Sequence, residues 1–216
     1  MSIKGAIFDM DGTLIDSMHL WINIGTRYLN KRGIEVSPEQ TKDMSQMLLE
    51  AMSVYMQENF GLTESCQEII DDINAMVENG YYEEVQLKDT VVETLEAFKE
   101  AGVKMCVATA TDRHLVEACL GRLGILDYFS AVFTCGEEHT TKRIPDIYLK
   151  AGAHLGTDPE NTFIFEDTLV SIYGAKQSGY KVVGVADKWS AKHEEDVRKN
   201  VDFFAEEISD SIPYVL

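Results

Sequence analysis

The amino-acid sequence predicts an α/β fold, a doubly wound parallel sheet of five or six strands with an all-helical segment inserted into it. Short apolar runs that do not alternate with polar residues recur along the chain, as expected for parallel strands buried on both faces. Amphipathic helical patterns separate the later runs, which is the order of a doubly wound sheet. One long segment, residues 17–86, contains helical patterns alone.

The apolar runs give the positions of five strands. The first run ends at Asp9, where polar residues begin at once. The predicted strands are Ile3–Phe8, Val103–Ala108, Ala131–Thr134, Thr162–Phe165 and Lys181–Val185. The helices predicted between and after them are Val91–Ala101, Leu115–Leu123, one that begins at Pro145, and Leu169–Ser178. Gly102, Gly156 and Gly179 stand where three of these helices should stop, because glycine adopts the left-handed conformation that ends a helix.

Residues 17–86 predict three amphipathic helices. The first closes at Gly33, and the second opens with a capping box at Ser37 and carries an apolar face that includes Leu48. The third ends at about Asn79. Their apolar stripes predict the core of a helical bundle. The expected domains are a core of residues 1–16 and 87–216 and a helical domain of residues 17–86.

The composition excludes several classes of partner. The chain has 216 residues, of which 45% are hydrophobic, and a formal net charge of −18. A surface this acidic repels phosphate backbones and anionic lipids, so neither nucleic acid nor a membrane is an expected partner. No apolar stretch reaches the roughly 18 residues of a membrane span, and the N-terminus lacks the pattern of a secretory signal. The four cysteines form no metal-binding pattern and are expected to be reduced thiols, which predicts a cytoplasmic location.

Polar residues follow the predicted strands at their carboxyl ends. Because these ends meet at one edge of a parallel sheet, the side chains should converge there. Crowded carboxylates repel one another, and a bound divalent cation relieves the repulsion. Hard carboxylate oxygens favour Mg²⁺ over Zn²⁺. The residues concerned are Asp9, Asp11, Gly12 and Thr13 after the first strand, Thr109, Ala110 and Thr111 after the second, Lys142 after the third, and Glu166 and Asp167 after the fourth.

This set of residue types suits phosphoryl transfer. A carboxylate can attack phosphorus and form an aspartyl-phosphate. A second carboxylate two positions later can protonate the leaving oxygen and then deprotonate a water molecule. A hydroxyl, a lysine and a cation can hold the phosphate oxygens as charge builds on them. Gly12 permits a tight backbone turn against the phosphate.

The segment Asp9-Met10-Asp11-Gly12-Thr13-Leu14-Ile15-Asp16-Ser17 resembles the first motif of the haloacid dehalogenase superfamily. Thr109, Lys142 and Glu166-Asp167 resemble its second, third and fourth motifs in order and spacing. The resemblance covers essentially the whole chain, and it is greatest to β-phosphoglucomutase-like phosphatases. It implies a Rossmann-like catalytic core, with residues 17–86 as a helical cap that closes over the site and selects the substrate.

The resemblance also implies a role for each motif residue. Asp9 would be the nucleophile and Asp11 the general acid and base. Thr109 would bind the transferring phosphoryl group, and Lys142 would stabilise it while tethering Asp9. The substrate-binding residues would be Gly12, Thr109, Ala110 and Lys142.

Mg²⁺ is the cofactor that the resemblance implies. The Asp9 side chain, the Asp11 backbone carbonyl and the Asp167 side chain would hold the ion, and Glu166 would assist through its water shell. The expected protein is a Mg²⁺-dependent phosphatase that hydrolyses a small phosphomonoester metabolite through an aspartyl-phosphate. It would act as a monomer or a weak homodimer.

Two positions depart from the family pattern. Trp21 stands where β-phosphoglucomutase-like mutases carry a histidine, and Ser171 stands where a glycine is usual four positions after Asp167. A sugar-phosphate mutase is therefore a less favoured alternative, and a non-catalytic phospho-ligand binding protein is another. A phospho-aspartate receiver module combines similar residue types, but it is much shorter and its phosphoacceptor follows a later strand.

Overall fold

The chain forms a six-stranded parallel sheet in the structure, a computed structural model that describes residues 3–45, 47 and 49–216. The strands are β1 (Gly5–Phe8), β2 (Lys104–Thr109), β3 (Val132–Thr134), β4 (Thr162–Glu166), β5 (Lys181–Val185) and β6 (Phe203–Ala205). Their order is β3-β2-β1-β4-β5-β6, and every neighbouring pair is parallel. The predicted α/β class is confirmed.

All five strands predicted from the apolar runs are present, and their ends differ from the predicted ones by no more than two residues. β6 was not located from the sequence. It has three residues, and its two phenylalanines are only partly buried, so no pattern of burial marks it in the sequence.

Contacts divide the chain into two compact units, one of Ser17–Glu84 and the other of the residues up to Asp16 together with Val85–Leu216. The first unit is helical. It contains a short 3₁₀ turn (Met18–Leu20), α1 (Ile24–Lys31), α2 (Pro38–Met44), α3 (Leu49–Phe60), α4 (Cys66–Asn79) and a π-helical turn (Gly80–Glu84).

Two of the three helices predicted for this unit are interrupted. The first is broken at Asn23, whose φ of +52° is a left-handed conformation that asparagine tolerates. The second consists of two helices, α2 and α3, and α2 ends where the Ser45 hydroxyl donates to the carbonyl of Lys42 (2.7 Å). The capping box at Ser37 is confirmed. Leu48, part of the predicted apolar face, lies outside the described residues.

The second unit surrounds its sheet with six helices. They are α5 (Val91–Glu100), α6 (Arg113–Arg122), α7 (Asp146–Leu155), α8 (Leu169–Gln177), α9 (Glu194–Asn200) and α10 (Ile212–Val215), with 3₁₀ turns at Leu126–Tyr128, Pro159–Asn161, Ala191–His193 and Ile208–Ser211. Gly102, Gly156 and Gly179 have positive φ after α5, α7 and α8, as predicted. The sequence did not predict α9, which buries only Val197 and therefore shows no apolar stripe.

The core of this unit lies on both faces of the central strands. Every residue of β1 is buried. Ile7 packs in a cluster that includes Cys106 and Ile164 of the neighbouring strands. Phe8 stacks on Phe165 with ring centroids 4.5 Å apart. Burial on both faces explains why the strands appear in the sequence as continuous apolar runs.

All four cysteines carry free thiols. Cys106 and Cys119 are buried, and burial raises the pKa of the Cys106 thiol and raises that of Cys119 to about 11. These two thiols therefore remain protonated at neutral pH. No helix in the described ranges is both long and apolar enough to cross a membrane.

Gly174 lets α8 pack directly on the loop that carries Lys142. A Cβ atom at position 174 would overlap the carbonyl oxygen of Lys142 and would lie 3.0 Å from the carbonyl carbon of Arg143. Both are backbone atoms, so they cannot move aside as a flexible side chain can. This close approach places the backbone of Lys142 relative to the sheet.

We expect Gly174→Ala to lower the free energy of unfolding by about 1–3 kcal/mol, because the added methyl group overpacks the contact with Lys142. This loss would exceed the gain of up to about 1 kcal/mol that alanine normally brings to a helix. The matched control is Gly121→Ala in α6, where a Cβ would meet nothing nearer than a side-chain atom of Leu126 at 4.0 Å. Urea unfolding followed by circular dichroism compares the two. Equal stability of both variants would mean that the Gly174 contact is not close.

Candidate active site

Four separate parts of the chain meet at the carboxyl edge of the sheet. Asp9 follows β1, Thr109 ends β2, Glu166 ends β4, and Asp167 comes directly after it. Because β1 is hydrogen-bonded to both β2 and β4, these ends lie side by side. Lys142 reaches the same edge from the segment between β3 and α7.

Three carboxylates form a buried cluster at this edge. Asp9, Glu166 and Asp167 each offer an oxygen, and these oxygens all lie within 4.8 Å of one another. Burial, followed by repulsion from Glu166, raises the pKa of Asp9 well above its ordinary value. The same two causes, in the same order, raise the pKa of Asp167 to about 8. Ionisation of the whole cluster is therefore unfavourable without further positive charge.

A buried lysine lies against the cluster. Lys142 Nζ forms ion pairs with Asp9 Oδ1 and with Glu166 Oε1, the second at 2.7 Å. Burial lowers the pKa of Lys142, but the carboxylates of Asp9 and Glu166 together outweigh burial and raise the pKa above its ordinary value. Tyr148, which sequence analysis did not assign to the site, also donates its hydroxyl to Glu166 Oε1 (2.7 Å). Glu166 Oε1 is thus held by two donors.

Asp11 lies in a different environment from Asp9. Its side chain is partly buried, and Thr111 Oγ1 donates a hydrogen bond to Asp11 Oδ2 (2.6 Å). The backbone N–H of Thr111 donates to Thr109 Oγ1 (3.1 Å). Thr109 is buried, whereas Ala110 is exposed. Thr111, in the short segment after β2, therefore connects the motif of Asp11 with that of Thr109. Sequence analysis assigned Thr111 no role.

Gly12 lets the loop after β1 approach Asp167. Its φ of +81° is a conformation that other residues rarely adopt. A Cβ atom on Gly12 would lie 2.5 Å from Asp167 Oδ2, so a side chain does not fit. The same loop orients Asp9, because the backbone N–H of Met10 donates to Asp9 Oδ1 (2.7 Å).

The cluster fits a hard divalent cation. Glu166 Oε2 and Asp167 Oδ1 are buried oxygens that find no hydrogen-bond partner in the part of the chain that the structure describes. Such oxygens cost free energy unless a donor or a cation neutralises them. Carboxylate oxygens are ligands that Mg²⁺ prefers. The Asp11 side chain is not one of the three clustered carboxylates. Sequence analysis assigned only the Asp11 backbone carbonyl to the ion.

Two more charged residues lie at this edge, and sequence analysis missed both. Lys88 Nζ donates to the carbonyls of Gly12 (2.5 Å) and Ala186 (2.6 Å) and lies 3.3 Å from Asp187 Oδ2. After burial and Glu166, repulsion from Asp187 is the next cause of the raised pKa of Asp167. Asp187 comes just after β5, so the strand-end rule that located the other carboxylates applies to it as well. No local signal in the sequence marks Lys88.

Ser171 and Trp21, the two departures from the family pattern, lie in different environments. Ser171 is buried near the start of α8, and its hydroxyl oxygen accepts a hydrogen bond from Thr168 Oγ1 (2.8 Å). Its polar group is therefore satisfied inside the structure. Trp21, in the helical unit, follows a short 3₁₀ turn and is 40% exposed.

Comparisons with known proteins agree with this architecture. A family model described as haloacid dehalogenase-like hydrolase matches residues 6–185. Pyrophosphatase PpaX from Bacillus velezensis is 29% identical over 209 residues, which cover 96% of this chain and 94% of that protein. Hexitol phosphatase B from Escherichia coli is 28% identical over 186 residues, which cover 85% and 83%. A solved structure of a putative β-phosphoglucomutase from Thermotoga maritima has a TM-score of 0.86 at 23% identity and covers 99% and 100% of the two chains.

The fold and the acidic edge of the sheet define an α/β enzyme whose candidate active site lies at the carboxyl ends of parallel strands. The chain belongs to the haloacid dehalogenase-like hydrolase family. With the phosphatases among its relatives, this membership identifies a hydrolase that acts on phosphate esters. The Thermotoga structure supports the fold alone.

We expect Mg²⁺ to stabilise the protein more at pH 8.5 than at pH 6. The pKa of Asp167 is about 8 in the folded protein, above its ordinary value of 3.8 in an unfolded chain. Between these values the folded state holds a proton that the unfolded state lacks, so this group's contribution to the free energy of unfolding falls as pH rises. A cation must displace that proton at pH 6 but not at pH 8.5. Thermal unfolding with and without Mg²⁺ measures both effects.

The control for this prediction is Asp167→Asn, which has no proton to displace at this position. Its response to Mg²⁺ should be small and should change little between the two pH values. Asp127→Asn, at an exposed position, should behave like the unaltered protein. A shift of melting temperature on Mg²⁺ addition that is the same at both pH values in the unaltered protein would contradict the prediction.

Proposed function

We propose that the protein is a Mg²⁺-dependent phosphatase that hydrolyses a small phosphomonoester through an aspartyl-phosphate on Asp9. The observation that carries the proposal is the buried cluster of Asp9, Glu166 and Asp167, which Lys142 neutralises only in part. The negative carboxylates of such a cluster suit a bound cation. The cation in turn supplies the positive charge that a negatively charged phosphoryl group requires.

In the first step, an Asp9 carboxylate oxygen attacks phosphorus as the bond from phosphorus to the ester oxygen breaks. Asp9 Oδ1 accepts from Lys142 and from the N–H of Met10, so we assign the attack to Oδ2. Asp11 donates a proton to the leaving oxygen. Its hydrogen bond from Thr111 holds the carboxyl group in one orientation for this transfer.

In the second step, a water molecule attacks the phosphorus of the aspartyl-phosphate. Asp11, now ionised, accepts a proton from this water, and Asp9 leaves with its original oxygen. Lys142 and the Thr109 hydroxyl hold the phosphoryl oxygens during both steps. Lys142 can do so because the raised pKa keeps its amine protonated.

Asp9 and Asp167 would hold Mg²⁺ by their side chains, with the Asp11 carbonyl as a further ligand and Glu166 acting through the water shell. When bound, the ion would supply positive charge to the phosphoryl oxygens. The residues fit this assignment because Glu166 Oε2 and Asp167 Oδ1 are buried carboxylate oxygens without a donor among the described residues.

The relatives indicate the size of the substrate, and the sequence indicates the domains, the location and the partners. Pyrophosphatase PpaX and hexitol phosphatase B act on small phosphorylated compounds, which supports a substrate of that size. Residues 17–86 would form a cap that selects the substrate, and the rest of the chain would form the catalytic core. The proposed enzyme acts in the cytoplasm, as a monomer or a weak homodimer, without nucleic acid or membrane partners.

Asp9→Asn should lower kcat for p-nitrophenyl phosphate by at least about 10³-fold, because an amide is not a nucleophile at phosphorus. The melting temperature should stay the same or rise, since the variant removes a carboxylate whose raised pKa marks it as unfavourably ionised. Asp127→Asn is the matched control and should retain full activity. EDTA should abolish turnover by the unaltered protein, and Mg²⁺ should restore it. Normal turnover by Asp9→Asn would refute the nucleophile assignment.

Asp11→Asn should form the aspartyl-phosphate but hydrolyse it slowly. Nitrophenolate is a good leaving group and needs no proton, whereas the attacking water still needs a base. The asparagine oxygen can accept the same hydrogen bond from Thr111. Rapid-mixing kinetics should therefore show a burst of nitrophenolate close to one equivalent of enzyme, followed by turnover reduced about 10²- to 10⁴-fold. A variant that turns over at the normal rate would exclude Asp11 as the base.

A screen of phosphorylated sugars, sugar alcohols, nucleotides and pyrophosphate for phosphate release would define the substrate. The same screen tests the mutase alternative, because a mutase moves the phosphoryl group between positions of one sugar and releases little phosphate. Phosphate release matching substrate loss supports the phosphatase. Isomer formation without release would favour the mutase.

A further inference from the structure

The ammonium group of Lys88 joins two loops at the carboxyl edge of the sheet. It donates to the carbonyl of Gly12 in the loop after β1 and to the carbonyl of Ala186 in the loop after β5. It also forms an ion pair with Asp187, whose side chain is only 3% exposed, whereas that of Lys88 is 17% exposed. Three acceptors therefore hold one partly buried ammonium group.

The strand order places Asp167 between the two loops that Lys88 connects. β4 lies between β1 and β5, so Asp167, which follows β4, lies between the two loops that Lys88 joins. On one side, a Cβ on Gly12 would lie only 2.5 Å from Asp167 Oδ2. On the other side, Ser190 Oγ is 3.4 Å from the carbonyl oxygen of Asp167 and 3.3 Å from that of Asp187.

The backbone of Lys88 is tied to the same loop. Its N–H donates to the carbonyl of Leu14 (3.0 Å), and Ile15 forms an antiparallel bridge with Leu87. The N–H of Gly12 in turn donates to the carbonyl of Ile15 (2.9 Å). The main chain and the side chain of Lys88 therefore fix the loop that carries Asp11 and Gly12 at two points.

We propose that Lys88 is a positioning residue that holds the Gly12 loop and the Asp187 loop on either side of Asp167 and thereby sets the affinity of the site for Mg²⁺. The inference rests on the proposed Mg²⁺-dependent function. Lys88 has no part in the phosphoryl-transfer steps. Groups that orient the ligands of a metal typically change its affinity by about 10- to 100-fold when they are removed.

Charge alone predicts the opposite effect. A positive charge near a cation site repels the cation, so its removal should strengthen binding of Mg²⁺. Loss of positioning should weaken it. The direction of the change in Kd for Mg²⁺ therefore distinguishes a positioning role from a simple electrostatic one.

The experiment measures the Kd for Mg²⁺ alone by isothermal titration calorimetry. Lys88→Met should raise this Kd by about 10- to 100-fold. Lys88→Arg should restore it to within a few-fold, because the adjoining cavity of about 250 Å³ has room for the larger guanidinium and the charge is kept. With saturating Mg²⁺, the KM of Lys88→Met for p-nitrophenyl phosphate should stay within a few-fold of normal.

Lys188→Met is the matched control. Lys188 lines the same cavity and pairs with Asp16 (2.6 Å), but its side chain is 61% exposed. The variant removes one positive charge near the site without removing the bridge between the loops. It should leave the Kd for Mg²⁺ unchanged or slightly lower.

A double variant, Lys88→Met with Asp187→Asn, keeps the test decisive even where the single variant fails to fold. It removes one positive and one negative charge, so it leaves no unpaired buried carboxylate and does not change the net charge near Asp167. It should still bind Mg²⁺ about 10-fold more weakly or worse, since the bridge from Gly12 to Ala186 is gone. Normal or tighter binding by the folded single or double variant would overturn the positioning role. An unaltered protein that neither binds Mg²⁺ nor requires it would instead overturn the proposed function.

Discussion

Lys142 carries the positive charge that allows Asp9 and Glu166 to lie buried at the same edge of the sheet. The raised pKa values of Asp9 and Asp167 show that this single charge does not compensate for the whole cluster. A divalent cation would relieve the remaining imbalance, which supports the proposed Mg²⁺ site. The contact of Gly174 in α8 with the Lys142 carbonyl fixes the backbone from which this charged side chain extends.

The sheet, rather than the loops, fixes the positions of several residues of the site. Asp9, Thr109 and Glu166 stand at the ends of hydrogen-bonded parallel strands, whose spacing the backbone fixes. Residues of the site that lie in loops are each held by a further contact. Lys142 lies against α8, the Asp11 carboxylate accepts from Thr111, and the loop after β1 is held by Lys88. In the proposed reaction, such placement would let the charged groups stabilise the developing phosphoryl charge without reorganisation.

The sequence predicted those features that depend on local patterns. Continuous apolar runs located five strands, and acidic residues and a lysine that follow them converge, since the carboxyl ends of parallel strands share one edge. It failed where structure depends on contacts between distant residues. No local pattern marks Lys88, and Tyr148 reaches Glu166 from a helix whose pattern indicates only packing. Asp187, by contrast, follows β5 and could have been located by the strand-end rule. The division of the second predicted helix was also missed, because the apolar spacing continues across the end of α2, where the Ser45 hydroxyl donates to the carbonyl of Lys42.

An acidic protein that acts on an anionic substrate requires local control of charge. The net charge of −18 disfavours a phosphate ester at long range, but salt screens exposed charges beyond about 8 Å at physiological ionic strength. Inside the site screening is weak, so Lys142, with the cation that the carboxylates would hold, would determine whether the proposed substrate is attracted. The acidic surface would disfavour large polyanions, which supports a small phosphate ester as the proposed substrate.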